Sequence, residues 1–228
     1  CLGERLMGFS ELVSALSHPD REAMTSATTT VTSLPNVSSC RDRRHLWKVD
    51  VIETPDMESL KVSRALAHAS ALQLTADFTR AVDASAIAKE QARAIGAPVQ
   101  LAQAQALRGS LLAAQDRPDA ARKELESAYL TALRVGADEV AAQAAQSLVF
   151  VVGHEQSNHS EGLLWGRIAE VTSHRLAKGT VHHMSGLLSN LARVHSERGE
   201  YALARDMYRQ ALAEDIELYG SAHPELTV

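Results

Sequence analysis

The sequence predicts an all-α fold, a right-handed α-solenoid of antiparallel helical pairs that follows an N-terminal helical hairpin. The first observation is a pattern of large and small apolar residues that recurs about every 40 to 43 residues. The second is composition: hydrophobic residues make up 45% of the chain but aromatic residues only 4%, which suits closely packed helices better than a β-sheet core. The third is that glycine and proline are few and lie between the periodic segments.

Residues 1–40 are predicted to form the N-terminal hairpin. Its first helix carries apolar residues at steps of four and three, a spacing that places them on one face of the helix. These residues are Leu2, Leu6, Phe9, Val13 and Leu16. A second helix between Pro19 and Pro35 has a similar stripe at Met24, Ala27, Val31 and Leu34. Residues 41–56 follow as a linker, and we interpret their short basic run, 41–44, as a solvated connector because it also contains an acid.

Residues 57–228 are predicted to form about four helical repeats, and the last repeat has the clearest pattern. Gly199 separates two helices that carry this pattern. In the first helix the pattern residues are Leu188, Leu191, Ala192 and His195, and in the second they are Tyr201, Ala204, Tyr208 and Ala211. Small residues lie where two helices must approach closely, and bulky residues lie where the gap must be filled. This segment resembles the tetratricopeptide repeat, in the longer version found in kinesin light chains and many bacterial proteins.

The same pattern can be followed upstream in three further repeats. The second repeat is well formed, with Gly109, Leu112, Pro118, Ala121, Leu125 and Ala128. The first repeat is recognised at Ala69, Leu72, Phe78, Ala81 and Ala88, and the third at Val149 and Trp165, with Trp165 in the place of Tyr208. The first and third are degenerate, since His68 and Asn158 occupy places where an apolar residue is usual. One such unit cannot bury its apolar face alone, so the copies should stack.

The chain is expected to stop inside a further repeat, which begins at His223 and Pro224. The last complete pair, residues 188–218, would then keep an apolar face that the next repeat normally covers. Because uncapped solenoids fray or self-associate, self-association through this pair is predicted.

The first helices of the repeats are expected to line a concave groove that binds a protein or peptide. The helical register places three sets of side chains there: Gln103, Ser110 and Ala114 in the second repeat, Gln143, Gln146, Phe150 and His154 in the third, and Ser189, Asn190, Arg193 and Glu197 in the fourth. Amides suit this role because each both donates and accepts hydrogen bonds. The alternative interpretation is that these residues only keep an exposed face soluble.

Two residues of this groove define the expected ligand more closely. Asn190 matches an asparagine that tetratricopeptide repeats use to hold a ligand backbone, and its replacement by alanine should barely change stability if the groove is exposed. Arg193 is the one cation. Some repeats of this kind bind a peptide's C-terminal carboxylate through a clamp of lysines and arginines. In this chain the clamp positions hold Ser63, Gln103 and Gln143, so a peptide bound by its C-terminus is not the expected ligand.

No catalytic, cofactor or metal site is predicted. The ten histidines include no pair with the spacing of a zinc-binding helix, and the cysteines lack zinc spacing. His154 and His159 flank a turn and could meet, but structural or solvent roles are favoured for them. His195 replaces a tyrosine of the repeat and should be a packed, hydrogen-bonded imidazole. Trp165 is expected between helices.

Charge and hydropathy argue against two classes of partner. The formal net charge is −5 and the pI is about 6.1, whereas a nucleic-acid surface needs a basic stripe. No apolar run approaches the roughly 20 residues of a membrane span, and none resembles a signal peptide.

Cys1 and Cys40 frame the predicted hairpin, whose antiparallel packing would bring them to the same end. A disulfide across this loop is one interpretation, and two reduced thiols in a cytoplasmic protein are the other. The residues themselves do not decide between the two.

A second resemblance covers nearly the whole chain. Residues 1–6, Leu34-Pro35 with Cys40, residues 147–153 and residues 161–165 resemble the C-terminal half of myxobacterial serine/threonine protein kinases. In that family a kinase domain is followed by a membrane span, a cysteine-bearing helical segment and tetratricopeptide repeats. The resemblance implies that this chain is part of a larger protein, that it lies outside the cytoplasm, and that Cys1 and Cys40 form a disulfide. A cytoplasmic location is the alternative.

The resemblance also implies a function, as the non-catalytic interaction or sensor arm of such a kinase. The glycine-rich loop, the His-Arg-Asp motif and the Asp-Phe-Gly motif are absent from this sequence, so phosphoryl transfer is not assigned to it. Two alternatives stay open: the repeat arm of a bacterial transcription regulator, and a purely architectural scaffold.

Overall fold

The computed structural model describes residues 2–17, 56–176 and 182–220 of the 228-residue chain. Within these ranges the protein has α-helices, one π-helix and no β-strand, so the predicted all-α fold of helical pairs is confirmed. The α-helices are α1 (Leu2–Leu16), α2 (Met57–Leu74), α3 (Phe78–Ala94), α4 (Pro98–Ala114), α5 (Pro118–Arg134), α6 (Asp138–Leu148), α7 (His159–Ser173), α8 (His182–Glu197) and α9 (Tyr201–Tyr219). None of these described helices is long and apolar enough to cross a lipid bilayer.

Helices α2 to α9 form four antiparallel pairs, and a short turn joins the two helices of each pair. The pairs are α2 with α3, α4 with α5, α6 with α7, and α8 with α9. The π-helix, Val149–Glu155, continues α6 without a break and belongs to the third pair. The chain folds as two compact units, residues 1–104 and 105–228, with the boundary inside α4.

The turn within each pair has the same main-chain geometry. In the first pair the Asp77 N–H donates to the Leu72 carbonyl at 2.9 Å, and Ala76 adopts a left-handed conformation with φ of 61°. Asp116 and Gly199 take the equivalent conformation in the second and fourth pairs, with φ of 56° and 80°. These are Schellman motifs, which satisfy the last carbonyls of a helix and reverse the chain sharply.

In the first unit, α1 packs against α2 through a face that its apolar stripe did not indicate. Leu12 is buried, and Glu11 lies 3.2 Å from His68 Nδ1 on α2. The stripe itself is largely exposed, with side chains between 48% and 69% accessible at Leu2, Leu6, Phe9 and Val13. Periodicity identified residues that share a face, but it did not identify the face that meets α2.

Hydrogen bonds also join the first helices of the first two pairs within this unit. The Gln100 amide on α4 donates to the main-chain oxygen of Ser59 at 2.9 Å and to the Ser63 hydroxyl at 2.8 Å. Ser63 therefore has a partner within the protein at the position where a carboxylate clamp would need a cation.

The third pair contains one more residue than the other pairs. We compare the pairs from the position of Ala69 on the first helix to the first residue of the second helix. This step is nine positions in the first, second and fourth pairs and ten in the third, where Val149 takes the place of Ala69. The segments compared are Ala69–Phe78, Gly109–Pro118, Ala192–Tyr201 and Val149–His159. The turn does not absorb the extra residue, because Ser157 keeps the left-handed conformation with φ of 53°. The first helix absorbs it by widening into the π-helix.

Main-chain hydrogen bonds identify Gly153 as the extra residue. Asp77 N bonds five residues back in the first pair, to Leu72, whereas Asn158 N bonds six residues back, to Val152 at 2.9 Å. Val152 therefore corresponds to Leu72, and Gly153 follows it as the insertion.

The insertion explains why position 162 is a glycine. The equivalent positions of the other pairs hold Ala81, Ala121 and Ala204, which are all buried. A Cβ at Gly162 would overlap the Cα of Gly153 and lie 2.9 Å from its nitrogen. The widened backbone occupies the space that an alanine methyl fills elsewhere.

The insertion also corrects one equivalence assigned from spacing. Because α7 begins one residue later, Gly166 rather than Trp165 corresponds to Tyr208, and the side chain of Leu191 packs where a Cβ of Gly166 would lie. Trp165 instead meets Tyr129 of α5 edge-on, with ring centroids 5.3 Å apart. The prediction that Trp165 lies between helices is confirmed.

Several predicted features lie outside the described residues. These are the second helix of the N-terminal hairpin, nearly all of the linker, Cys1, Cys40 and the further repeat at His223. The disulfide stays a prediction.

The inserted residue leads to a prediction for the substitution Gly162→Ala: its effect on stability should have opposite signs in chains with and without Gly153. Gly162→Ala should destabilise the natural chain by about 1–3 kcal/mol, because the new methyl group overlaps the Gly153 backbone. In a chain that lacks Gly153 the same substitution should stabilise by up to about 1 kcal/mol, because alanine is the better helix former and the space is open. Urea denaturation followed by circular dichroism measures both changes.

Gly136→Ala provides a control in both backgrounds. Gly136 has a positive φ of 68° but an open surrounding, so alanine there should destabilise both chains equally. If Gly162→Ala changed stability in the same direction with and without Gly153, the insertion would not be the cause of the glycine at 162.

Candidate protein-binding face

The first helices of the third and fourth pairs lie side by side in the second unit. Asn190 of α8 donates from Nδ2 to the main-chain oxygen of Gln146 at 3.2 Å. The Gln146 amide in turn packs directly over Gly186, where a Cβ would overlap its nitrogen. Asn190 and Gln146 are half-buried, so their polar groups hold these two helices together.

The structure brings the predicted site residues of these two helices onto one surface, which we call the candidate face. Gln143 and Arg193 are exposed, and the other members are half-buried. The candidate face consists of Gln143, Gln146, Phe150, His154, Ser189, Asn190 and Arg193.

Phe150 is the aromatic centre of this surface. The Arg193 guanidinium lies over its ring, with Cζ 5.7 Å from the centroid. The His154 imidazole lies against the ring from the π-helix, with centroids 5.0 Å apart and planes tilted by 50°. The aromatic face stabilises the cation through its quadrupole, an attraction that fixes Arg193 without neutralising it.

Glu197 is bound by two histidines of the neighbouring pair. Its Oε1 contacts His154 Nδ1, and its Oε2 lies 3.3 Å from His159 Nε2. All three side chains are about one-third exposed. His154 and His159 therefore do meet, through a shared carboxylate. In the described part of the chain no group of His, Cys, Asp or Glu side chains is arranged to hold a metal ion.

His195 lies away from the candidate face, at the seam between α8 and α9. Its Nδ1 is 2.5 Å from Glu200 Oε2, and the side chain is mostly buried. The predicted packed, hydrogen-bonded imidazole is confirmed. The hydrogen bonds from His195 and Arg198 hold the pKa of Glu200 below its ordinary value.

Sequence reasoning missed Glu155, which follows His154 in the π-helix. Its Oε2 is buried without a hydrogen-bond partner among the described residues. Burial raises the pKa of this carboxyl, His154 opposes the shift, and the negative charge of Asp116 adds to it. No local pattern in the sequence marks this residue, because its burial depends on how the helices pack.

The second helix of the last pair keeps an apolar surface. Tyr201, Tyr208 and Leu212 are exposed, at 70%, 42% and 47%, and with Ser196 and Ala204 they line a shallow depression. These tyrosines were expected to fill gaps between helices, and within the described residues they do not. Self-association through this surface stays a prediction.

Comparison with known proteins identifies the last helical pair. A family model described as Tetratricopeptide repeat matches residues 186–225, which include most of α8 and all of α9. The fold is similar to the crystal structure of BtubC (BKLC) from P. vanneervenii, with a TM-score of 0.60, 13% sequence identity, and coverage of 95% of this chain and 94% of that chain. At this identity the likeness concerns the fold alone. None of the curated proteins matches this chain in sequence.

The fourth pair is thus a tetratricopeptide repeat, and the three preceding pairs share its turn geometry and its close helix packing. The chain therefore carries at least one tetratricopeptide repeat, at residues 186–225. Repeats of this class generally mediate protein–protein interaction.

Asn190 has a structural role that revises the expected effect of its removal. Asn190→Ala should lower the free energy of unfolding by about 1 kcal/mol, because it removes the hydrogen bond to Gln146 between two packed helices. Ser189→Ala, on the same helix, should change it by less than about 0.5 kcal/mol. Urea denaturation compares the two, and equal effects would refute the structural role.

Glu155 should make stability depend on pH. The pKa of this group is higher in the folded state than its ordinary value of 4.5, so the folded state holds the proton more tightly. Above the raised pKa the natural chain carries the full cost of the buried charge, and this cost disappears as the pH falls towards 4.5. Glu155→Gln should therefore raise the urea midpoint at pH 7 and leave it nearly unchanged at low pH; a constant difference would exclude this cause.

Proposed function

We propose that this chain is a non-catalytic recognition module that binds an extended, acidic segment of a protein partner on the candidate face. The observation that carries the proposal is Arg193. Its guanidinium is fixed over Phe150, its side chain is exposed, and no carboxylate of the described residues forms an ion pair with it. A cation held in place and open to solvent is suited to bind the carboxylate of a partner.

The stacked arrangement favours binding in two ways. The Phe150 ring restrains the long arginine side chain before a ligand arrives, so less conformational entropy is lost on binding. The planar guanidinium can also bind a carboxylate through two parallel hydrogen bonds.

Polar neighbours supply contacts for a peptide main chain. Asn190 uses one amide N–H on Gln146, which leaves its second N–H and its oxygen for a ligand. Gln143 is exposed at one end of the face and has both amide functions. An aromatic ring surrounded by polar donors has the usual composition of an interface hot spot.

The preference for an acidic segment is local. The protein as a whole carries a formal charge of −5, so long-range attraction does not favour an acidic partner, and a nucleic acid is disfavoured for the same reason. The one carboxylate near Arg193 on the same helix, Glu197, is engaged by histidines. An acidic side chain of the partner would take the position that this neighbour leaves open.

We place this module in the repeat arm of a bacterial serine/threonine protein kinase. The support is the resemblance of residues 1–6, 147–153 and 161–165 to that family. The full reading frame separates this proposal from the alternative of a transcription regulator, because a kinase domain with a membrane span, or a helix-turn-helix domain, would precede or follow the repeats.

Selection from a random-peptide phage library tests the binding proposal. The immobilised chain should enrich peptides with Asp or Glu, and the Arg193→Gln variant should lose that enrichment. Loss of a charge-assisted hydrogen bond should weaken a selected acidic peptide roughly 10- to 100-fold, as measured by calorimetry.

Arg167→Gln is the matched control, since Arg167 is an exposed arginine on the second helix of the third pair. This variant should select the same acidic peptides as the natural chain. If the natural chain and the Arg193→Gln variant selected the same peptides, the proposal would be wrong and an architectural role would be favoured.

A further inference from the structure

We infer that His154 and His159 are positioning residues that hold Glu197 away from Arg193 and so keep Arg193 available to a partner. The benefit of this arrangement for binding rests on the proposed function. The position of Glu197 itself is argued only from the geometry of the second unit.

Arg193 and Glu197 are natural partners by their position. They lie four residues apart on α8, a spacing at which oppositely charged side chains face each other on a helix surface and commonly pair. The structure does not pair them. Arg193 lies over Phe150, and Glu197 turns towards the third pair.

The two histidines account for the direction of Glu197. Each carboxylate oxygen has its own imidazole, Oε1 with His154 Nδ1 and Oε2 with His159 Nε2 at 3.3 Å. His154 comes from the π-helix and His159 from the first residue of α7, so both lie across from α8. The two contacts hold the Glu197 carboxylate against the third pair, so it does not form an ion pair with the Arg193 guanidinium.

Phe150 completes the separation between the two charges. His154 lies against its ring with centroids 5.0 Å apart, and Arg193 lies over the same ring. The ring thus provides a surface for Arg193 while its neighbour His154 binds Glu197. Without the histidines, Glu197 could turn along α8 and become an internal competitor for any acidic side chain that Arg193 binds.

A ligand-free measurement tests the cause. Side-chain NMR reports the hydrogen-exchange rate of the Arg193 Nε–H. In the natural chain this rate should be unaffected by Glu197→Gln. In the His154→Ala/His159→Ala variant the exchange should be slower, because Glu197 now pairs with Arg193, and adding Glu197→Gln should restore the natural rate.

A binding measurement tests the consequence, with an oligoglutamate peptide as the probe and oligoglutamine as its control. The double histidine variant should bind oligoglutamate about two- to fivefold more weakly, which corresponds to one exposed ion pair formed in competition. Glu197→Gln in that background should restore the affinity. A merely structural role of the histidines would not be rescued by a second substitution in the same cluster.

Two further variants keep the test decisive. His154→Ala and His159→Ala alone should each give a smaller loss with the same rescue, which covers the case in which the double variant does not fold. His195→Ala removes another histidine–carboxylate pair of α8 and should lower stability without any effect of Glu197→Gln on affinity.

The outcomes separate this inference from the proposed function. If the natural chain does not bind oligoglutamate, the proposed acidic partner is wrong, and the exchange measurement alone decides the role of the histidines. If Glu197→Gln leaves the Arg193 exchange rate unchanged in every histidine variant, the inference is overturned whatever the peptide does.

Discussion

The close approach of helix backbones at small residues is the constraint on which the rest of this structure depends. Gly109 admits Leu125 so closely that a Cβ would lie 2.5 Å from its Cγ, and Gly162 lies directly against Gly153. The residues at the corresponding places of the other pairs, five alanines and Val149, are buried completely or nearly so. Because packed interiors tolerate little change in volume, these contacts fix the spacing of the helices, and with it the position of every side chain on the candidate face. The low aromatic content of the chain follows from the same requirement.

The third pair shows how the fold accommodates a change in length. Its extra residue, Gly153, lies in the helix and not in the turn, although loops usually tolerate insertions better. The turn between the helices satisfies the last carbonyls through a fixed set of hydrogen bonds, which an inserted residue would disrupt. The helix instead keeps its hydrogen bonds by shifting to a wider ladder, and the buried Val151 and Val152 keep their places. The cost is the loss of any side chain at 162.

The chemistry of the candidate face comes from a few side chains placed on a repetitive scaffold. Helical repeats occur in proteins of many functions, so the fold alone does not define a ligand. What distinguishes this chain is the distribution of charge around Phe150. The carboxylate of the fourth repeat is bound by the histidines of the third, and the nearby guanidinium is stacked on an aromatic ring. These helices thus expose one cation, Arg193, to solvent and keep one anion, Glu197, bound to two histidines.

The sequence by itself determined the helical class, the four pairs and their period, because small and large residues at helical spacing are local patterns that each pair repeats. It also determined that Trp165 and His195 are packed. Only the tertiary structure decided that Leu12 rather than the stripe of α1 meets α2, that an extra residue widens a helix, that Asn190 binds Gln146, and that Glu197 joins two histidines. These features depend on contacts between residues far apart in the chain, 44 positions for Asn190 and Gln146. Periodicity shows which residues share a face of a helix, but it does not show which surface packs against that face.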